Sequence, residues 1–316
     1  MKRIRVGVVG VGYLGRFHAE KYADLADVEL VGVVDSERDR AVQIAGKLNT
    51  RALVDPRALI GQVDAVSIVV PTVLHHRVAK LFLEQAIHVL IEKPMTATLE
   101  QADELIALAA VKGAILQIGH IERFNPAITA VRSMINAPRY MIAERAAPFT
   151  VRCTDVSVVL DLMIHDLDVV MDLAGSAPKE VSAAGTAVIT DEIDMAMARI
   201  VFENGCVADV SASRVSDEKK RVLRIFDGKN IYTSDYQTQQ ASVSRKGGTE
   251  SPAFTAHNLA VEKRDTLADE IRAFIKSVQD GTRPIVSGIE GRRALALATT
   301  IADNVTRRIT AFVPIP

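Results

Sequence analysis

The stretch Ile4-Arg5-Val6-Gly7-Val8-Val9-Gly10-Val11-Gly12-Tyr13-Leu14-Gly15 reads as a buried strand that breaks into a glycine turn. Gly10, Gly12 and Gly15 have the GxGxxG spacing of a dinucleotide site. The first glycine permits the tight turn, the second lets the backbone approach a pyrophosphate closely, and the third lets the following helix pack on the strand. Taken alone, the spacing also fits a tight β-to-α connection with no ligand, and only the neighbouring elements separate the two.

Residues 14–25 have helical spacing, with Leu14, Phe17, Tyr22 and Leu25 available to a buried face. Residues 28–34 are nearly all apolar, as a parallel strand covered on both faces must be, and end at Asp35, about 20 residues beyond Gly15. An acid there accepts hydrogen bonds from the adenosine ribose hydroxyls and repels a 2′-phosphate, which favours NAD over NADP. Asp35 also fits a turn or helix N-cap, and Arg38 and Arg40 nearby offer a phosphate two cations.

Strand-like and helix-like segments continue to alternate, giving six strands over ~120 residues. This predicts an α/β domain of the Rossmann kind, a doubly wound parallel sheet. Pro71, Thr72 and His75 follow the strand expected at 65–70, and Glu92-Lys93-Pro94 closes the one at 88–91. Both groups fall at carboxyl ends of parallel strands, where open α/β sheets bind ligands.

Beyond about residue 120 the pattern changes to strands joined by hairpin signals, among them Asn204-Gly205 and Asp227-Gly228. The second half is therefore expected to be an α+β domain with an open, mainly antiparallel sheet. One helix over 156–174 lies between its first two strands, and two more close the chain, over 267–279 and 290–308. Residues 236–257 are polar and contain glycine, so an irregular connection is expected there.

A length of 316 residues suits this two-domain division, 1–120 for NAD binding and 121–316 for substrate binding and oligomerisation. A net charge of −1 supplies no field that favours nucleic acid or a membrane surface, which leaves a small molecule as the default ligand. Cys153 and Cys206 are the only cysteines and show no CxxC or Cys/His ligand spacing, so no disulfide framework and no metal site is expected. With no signal-peptide core and no stretch of 18 apolar residues, the expected location is the cytoplasm.

Two groups of residues carry candidate chemistry. Asp161, His165, Asp168 and Asp172 recur at helical spacing on one face of the 156–174 helix, opposite Val158, Val159, Leu162, Val169, Val170 and Leu173. Such a stripe fits a solvated face. It also fits a proton-transfer pair, since a histidine exchanges a proton near neutral pH and a carboxylate one turn away orients it. Lys93 is the second candidate: a cation at the ligand-binding edge of the sheet stabilises the oxyanion that develops as hydride leaves carbon.

These residues resemble the glucose-fructose oxidoreductase / inositol dehydrogenase / MocA family of NAD(P)-dependent oxidoreductases along nearly the whole chain. The matching pieces are the Gly10–Gly15 turn with His18, residues 71–75, His88-Val89-Leu90-Ile91-Glu92-Lys93-Pro94, Gly119 through Arg123-Phe124, Asp161 with His165, and Pro284-Ile285-Val286-Ser287-Gly288. The resemblance implies Lys93, Asp161 and His165 as the catalytic set and a cis peptide before Pro94. For NAD it implies a site made of Gly10, Gly12, Tyr13, Leu14, Gly15, Asp35, Pro71, Thr72, His75, Glu92 and Lys93, with NADP the less favoured cofactor. Residues 119–126 and 161–166 are most similar to the UDP-N-acetylglucosamine 3-dehydrogenase branch. That similarity implies oxidation of a secondary hydroxyl of a sugar or nucleotide sugar, such as the 3-hydroxyl of UDP-N-acetylglucosamine, in a homodimer or homotetramer. His120, Arg123 and Asn125 join the substrate-binding candidates, although His120 also fits a buttress of the turn and Asn125 a helix cap ahead of Pro126. Two other functions fit the same family resemblance: NAD-dependent glycoside hydrolysis and non-catalytic NAD sensing.

Overall fold

A computed structural model describes residues 3–150, 156–246 and 254–311 of the chain. It divides into two compact units, residues 1–121 with 265–292, and residues 122–264 with 293–316.

The first unit holds six strands, β1 (Ile4–Val9), β2 (Val28–Val34), β3 (Arg51–Leu53), β4 (Ala65–Ile68), β5 (His88–Glu92) and β6 (Leu116–Gly119). They form one parallel sheet in the order β3-β2-β1-β4-β5-β6. Helices α1 (Gly15–Ala23), α2 (Arg38–Leu48), α3 (Thr72–Leu83) and α4 (Leu99–Lys112) connect the strands. The order reverses between β1 and β4, and that switch point opens a crevice at the carboxyl ends of the strands. The expected doubly wound sheet is therefore present. Its core is the apolar run of each strand, with Val6, Val8, Val33, Ala65 and Leu90 all buried.

The second unit starts with α5 (Pro126–Arg132), the helix that the capping alternative for Asn125 implied. Asn125 caps it, accepting from the Ala127 amide at 3.1 Å, and Pro126 occupies the first helical position. There follow β7 (Tyr140–Ala146), α6 (Ile164–Ala174), β8 (Pro178–Thr186), β9 (Met195–Phe202), β10 (Val207–Ser213), β11 (Lys220–Asp227), β12 (Asn230–Asp235), β13 (Gln240–Lys246) and β14 (Phe254–Asn258). The eight strands form one sheet in the order β14-β13-β12-β11-β7-β10-β9-β8. Every neighbouring pair is antiparallel except β7 and β10.

Two expectations are overturned in this unit. Residues 236–257 are not an irregular connection throughout, because β13 and β14 extend the sheet. Ala241 and Val243 alternate inward between Gln240, Ser242 and Ser244, too short an apolar signal to read in isolation but sufficient once β12 offers a paired edge. The helix expected over 156–174 is also not uniform. It begins as a π-helical turn, Val159–Met163, in which the Ile164 amide reaches back five residues to the Val159 carbonyl, and becomes α-helical only at Ile164. Of the two cysteines, Cys206 is a buried free thiol and Cys153 lies outside the described residues.

Two helices complete the chain, α7 (Thr266–Asp280) and α8 (Gly288–Ala311). Asp265 caps α7 by accepting from the Ala268 amide, and Ile271, Phe274 and Ile275 carry the helix into the core of the first unit. Ahead of α8, the Ile118 amide donates to the Val286 carbonyl, so the chain runs briefly beside β6. Among the described residues no helix is long and apolar enough to cross a membrane.

Candidate active site

The glycine turn has the shape its sequence requires. Gly10 has φ +87°, and a Cβ there would stand 2.3 Å from the Val69 carbonyl oxygen. A Cβ on Gly15 would stand 1.8 Å from the Gly10 carbonyl oxygen, so these two glycines exist for packing. Gly12 differs, since a Cβ there would meet no atom within 4 Å. Open space beside a glycine at the head of α1, with no side chain capping that helix, fits a pyrophosphate seated at its N-terminus. Tyr13 and Leu14 are exposed on the same loop, and the Arg16 guanidinium lies over the Tyr13 and Phe17 rings.

Asp35 is buried at the end of β2. Its Oδ2 accepts from the Val11 amide at 3.0 Å and its Oδ1 from the Glu37 amide at 2.9 Å, which ties the acid to the glycine turn. Arg40 pairs with both Asp35 and Glu37. Of the two cations nearby, Arg40 is thus already held by two carboxylates, while Arg38 is exposed. Asp35 is not the α2 N-cap, which is Glu37.

At the far side of the same edge, β5 delivers Glu92 and half-buried Lys93, followed by the cis peptide Lys93–Pro94. His75 lies inside α3, which begins at Thr72 immediately after Pro71. Its ring is buried between the Pro94 carbonyl, 2.9 Å from Nδ1, and the Val70 carbonyl, 2.8 Å from Nε2. Burial pushes the imidazole pKa down against these two acceptors. Both ring nitrogens thus face backbone carbonyls, and a neutral ring donates to one of them. The Glu92 carboxyl is pushed up by burial, but the hydrogen bond from His18 and the charge of Lys93 outweigh that and leave it below the usual carboxylate range. His120 is buried just beyond β6.

In the second unit, Asp161 sits within the π turn and His165 in the first turn of α6, both half-exposed. Of the rest of the expected polar stripe, Asp168 is buried and Asp172 partly exposed. Asp168 accepts from Arg123 Nε at 2.8 Å, and Asp172 pairs with Arg123 and with Arg132. Arg123 is therefore buried with its charge balanced by two carboxylates. Asn125 caps α5 and donates to Glu122 and to the Tyr236 carbonyl.

Next to His165, Asp166 is buried and held by Arg145 of β7. This pair was not expected from the sequence, yet a signal existed. Along β7, Met141, Ala143 and Arg145 share the inward parity, so a charge was aimed at the core. Glu270 escaped notice in the same way. It stands three residues after Leu267 and four before Phe274, on the buried stripe of α7. Among the described residues no group of three or more His, Cys, Asp or Glu is arranged to hold a metal ion.

Comparison with known proteins agrees with this geometry. Residues 4–120 match the model of an oxidoreductase family with an NAD-binding Rossmann fold, and residues 127–230 match the GFO/IDH/MocA C-terminal domain. The chain is 43% identical to UDP-N-acetylglucosamine 3-dehydrogenase of Acidithiobacillus ferrooxidans, over 95% of this chain and 97% of that one. It is 29% identical to myo-inositol 2-dehydrogenase of Thermotoga maritima, over 93% and 94% of the two chains. A solved structure of the Acidithiobacillus ferrooxidans enzyme superposes with a TM-score of 0.92 at 41% identity, covering 97% of this chain and 99% of that chain.

Proposed function

The chain belongs to the GFO/IDH/MocA family of oxidoreductases, and from that premise we propose that it is an NAD-dependent dehydrogenase of a nucleotide sugar, with the 3-hydroxyl of UDP-N-acetylglucosamine as its first candidate substrate. The observation that carries this reading is 43% identity to a UDP-N-acetylglucosamine 3-dehydrogenase over nearly the full length of both chains. When bound, NAD supplies the acceptor for the hydride. Gly12 and the amides at the head of α1 hold its pyrophosphate, and Asp35 takes the adenosine ribose and disfavours a 2′-phosphate.

His165, oriented by Asp161, takes the proton from the sugar hydroxyl. Lys93 stabilises the negative charge that grows on that oxygen, and the sugar leaves as a ketone. Arg123 and Asn125 keep the chain around residues 121–126 in shape, since their polar atoms are engaged within the protein.

The test is NADH formation from NAD with UDP-N-acetylglucosamine, other UDP-sugars and myo-inositol, with NADP run in parallel. Turnover is expected with the UDP-sugar and NAD, and Lys93→Ala and His165→Ala should each lower kcat by about 10²- to 10⁴-fold. Variants that keep turnover within a factor of a few would remove the assignment of those residues.

A further inference from the structure

Beneath the Lys93 end of the sheet, Glu92 is joined to a buried row of polar side chains from α1 and β4. The Tyr22 hydroxyl is 2.8 Å from Ser67 Oγ, which is 3.3 Å from His18 Nδ1, and His18 Nε2 is 3.1 Å from Glu92 Oε1. The Lys93 amide donates to the other Glu92 oxygen at 3.3 Å. An ionised Glu92 only accepts, so Nε2 must donate to it. Nδ1 of the same ring faces the Ser67 hydroxyl, which in turn bonds the Tyr22 hydroxyl. The row ends at Tyr22, which is fully buried. It orients Glu92 and opens no path to solvent.

Glu270 of α7 faces this cluster. It is fully buried, and neither carboxyl oxygen has a hydrogen-bond partner among the described residues. Its backbone carbonyl accepts from Gln117 of β6 at 3.3 Å, which fixes the helix at this depth. The charged or titratable groups toward it are Glu92 from β5 and Tyr22 from α1, with His18 and Lys93 beyond Glu92. Gly119 leaves the room that Glu92 occupies, since a Cβ there would stand 2.9 Å from the Glu92 carboxyl carbon. An ionised, unpaired carboxylate in such a place is strongly disfavoured, and a second negative charge beside Glu92 adds to that.

We infer that Glu270 is held as a neutral acid and serves as a positioning residue for Glu92 and, through it, for Lys93: its proton keeps a second negative charge out of the pocket where Glu92 is ionised. Burial and the Glu92 charge both push the Glu270 carboxyl well above the usual range, consistent with this arrangement. The link to Lys93 rests on the proposed role of Lys93 in turnover, whereas the proton on Glu270 does not.

Infrared spectroscopy of the full chain in D₂O reads the proton directly. The wild type should show a protonated-carboxyl carbonyl band at neutral pH that Glu270→Gln removes. Glu92→Gln, which leaves Glu270 in place, should make the band disappear at lower pH than in the wild type. Absence of the band, or a titration that Glu92→Gln leaves unmoved, overturns the assignment, and the second arm stands even if Glu270→Gln does not fold. The functional link is read from the pH profile of kcat/KM for NADH formation with UDP-N-acetylglucosamine. Its alkaline limb should coincide with the loss of the band and move upward in Glu270→Gln by about one pH unit or more. A limb that stays in place overturns the link. Full turnover in Lys93→Ala would instead strike the proposed role of Lys93 and leave the infrared result standing.

Discussion

Arg145 Nε donates to Asp166 Oδ2 at 2.6 Å inside the second unit, one residue along the chain from His165. The same guanidinium reaches Asp166 Oδ1 at 3.2 Å and Glu122 at 3.0 Å, so one cation on β7 binds two buried carboxylates. The bidentate contact fixes α6 against the sheet and with it the direction of the neighbouring imidazole. Removing the cation strands Asp166 and leaves Glu122 with only the Asn125 side-chain amide and a long contact to Arg221. Arg145→Met is expected to destabilise the protein by about 3–5 kcal/mol in urea unfolding, and Arg145→Lys should recover only part of that because an ammonium cannot make the fork. Unchanged stability in Arg145→Met would show that the pair does not hold the helix.

The three glycines of the turn should separate fold from function. Gly12→Val meets open space, so its unfolding midpoint should match the wild type while NADH binding, followed by fluorescence titration, weakens by about tenfold or more. Gly15→Ala places a methyl against the Gly10 carbonyl and should cost about 2–3 kcal/mol of stability. Equal effects of the two variants on stability would contradict the division.

Asp35 should govern the choice of cofactor through its charge. Asp35→Ser removes the repulsion of a 2′-phosphate and frees Arg40 from one of its two partners. The ratio of kcat/KM with NADP to that with NAD should rise by about tenfold or more. Both values should also fall, because the Val11 amide loses its acceptor.

Acid stability should depend on Asp194. It is fully buried and accepts from the amides of Val188, Ile189 and Thr190, the Thr190 hydroxyl and Arg214. Burial pushes its carboxyl up, but these donors outweigh it and hold the group well below the usual range. A carboxyl depressed in the folded state binds fewer protons there than when unfolded. Its stabilising contribution is present above the ordinary carboxylate range and is lost as pH falls through that range toward the folded value. Asp194→Asn should therefore be less stable than the wild type at pH 7, with the gap in urea midpoints closing on acidification. A gap independent of pH would mean that charge plays no part.

Much of the fold was legible in the chain because it rests on local rules. The glycine spacing, the apolar runs of β1 and β2 and the alternation with helices specify a parallel sheet without knowledge of any long-range contact. Lys93, Asp161 and His165 stood out for a similar reason, since a strand end and a helical spacing can be counted along the sequence. The polar segment around β13 could not be read that way. Two inward residues make a strand only when a neighbour offers its edge.

What the sequence by itself determined is which residues carry the dinucleotide turn and which side chains can move a proton. Tertiary structure alone decided how their charges are met. Arg123 looked available to a substrate and Arg40 to a phosphate, yet each is held by two carboxylates brought to it by packing. Glu270 belongs to no motif in the sequence, yet α7 turns it into the core of the first unit, toward Glu92. The physical reason is common to these cases: the energy of a charge depends on the burial and partners around it, and those are fixed by residues far away in the chain.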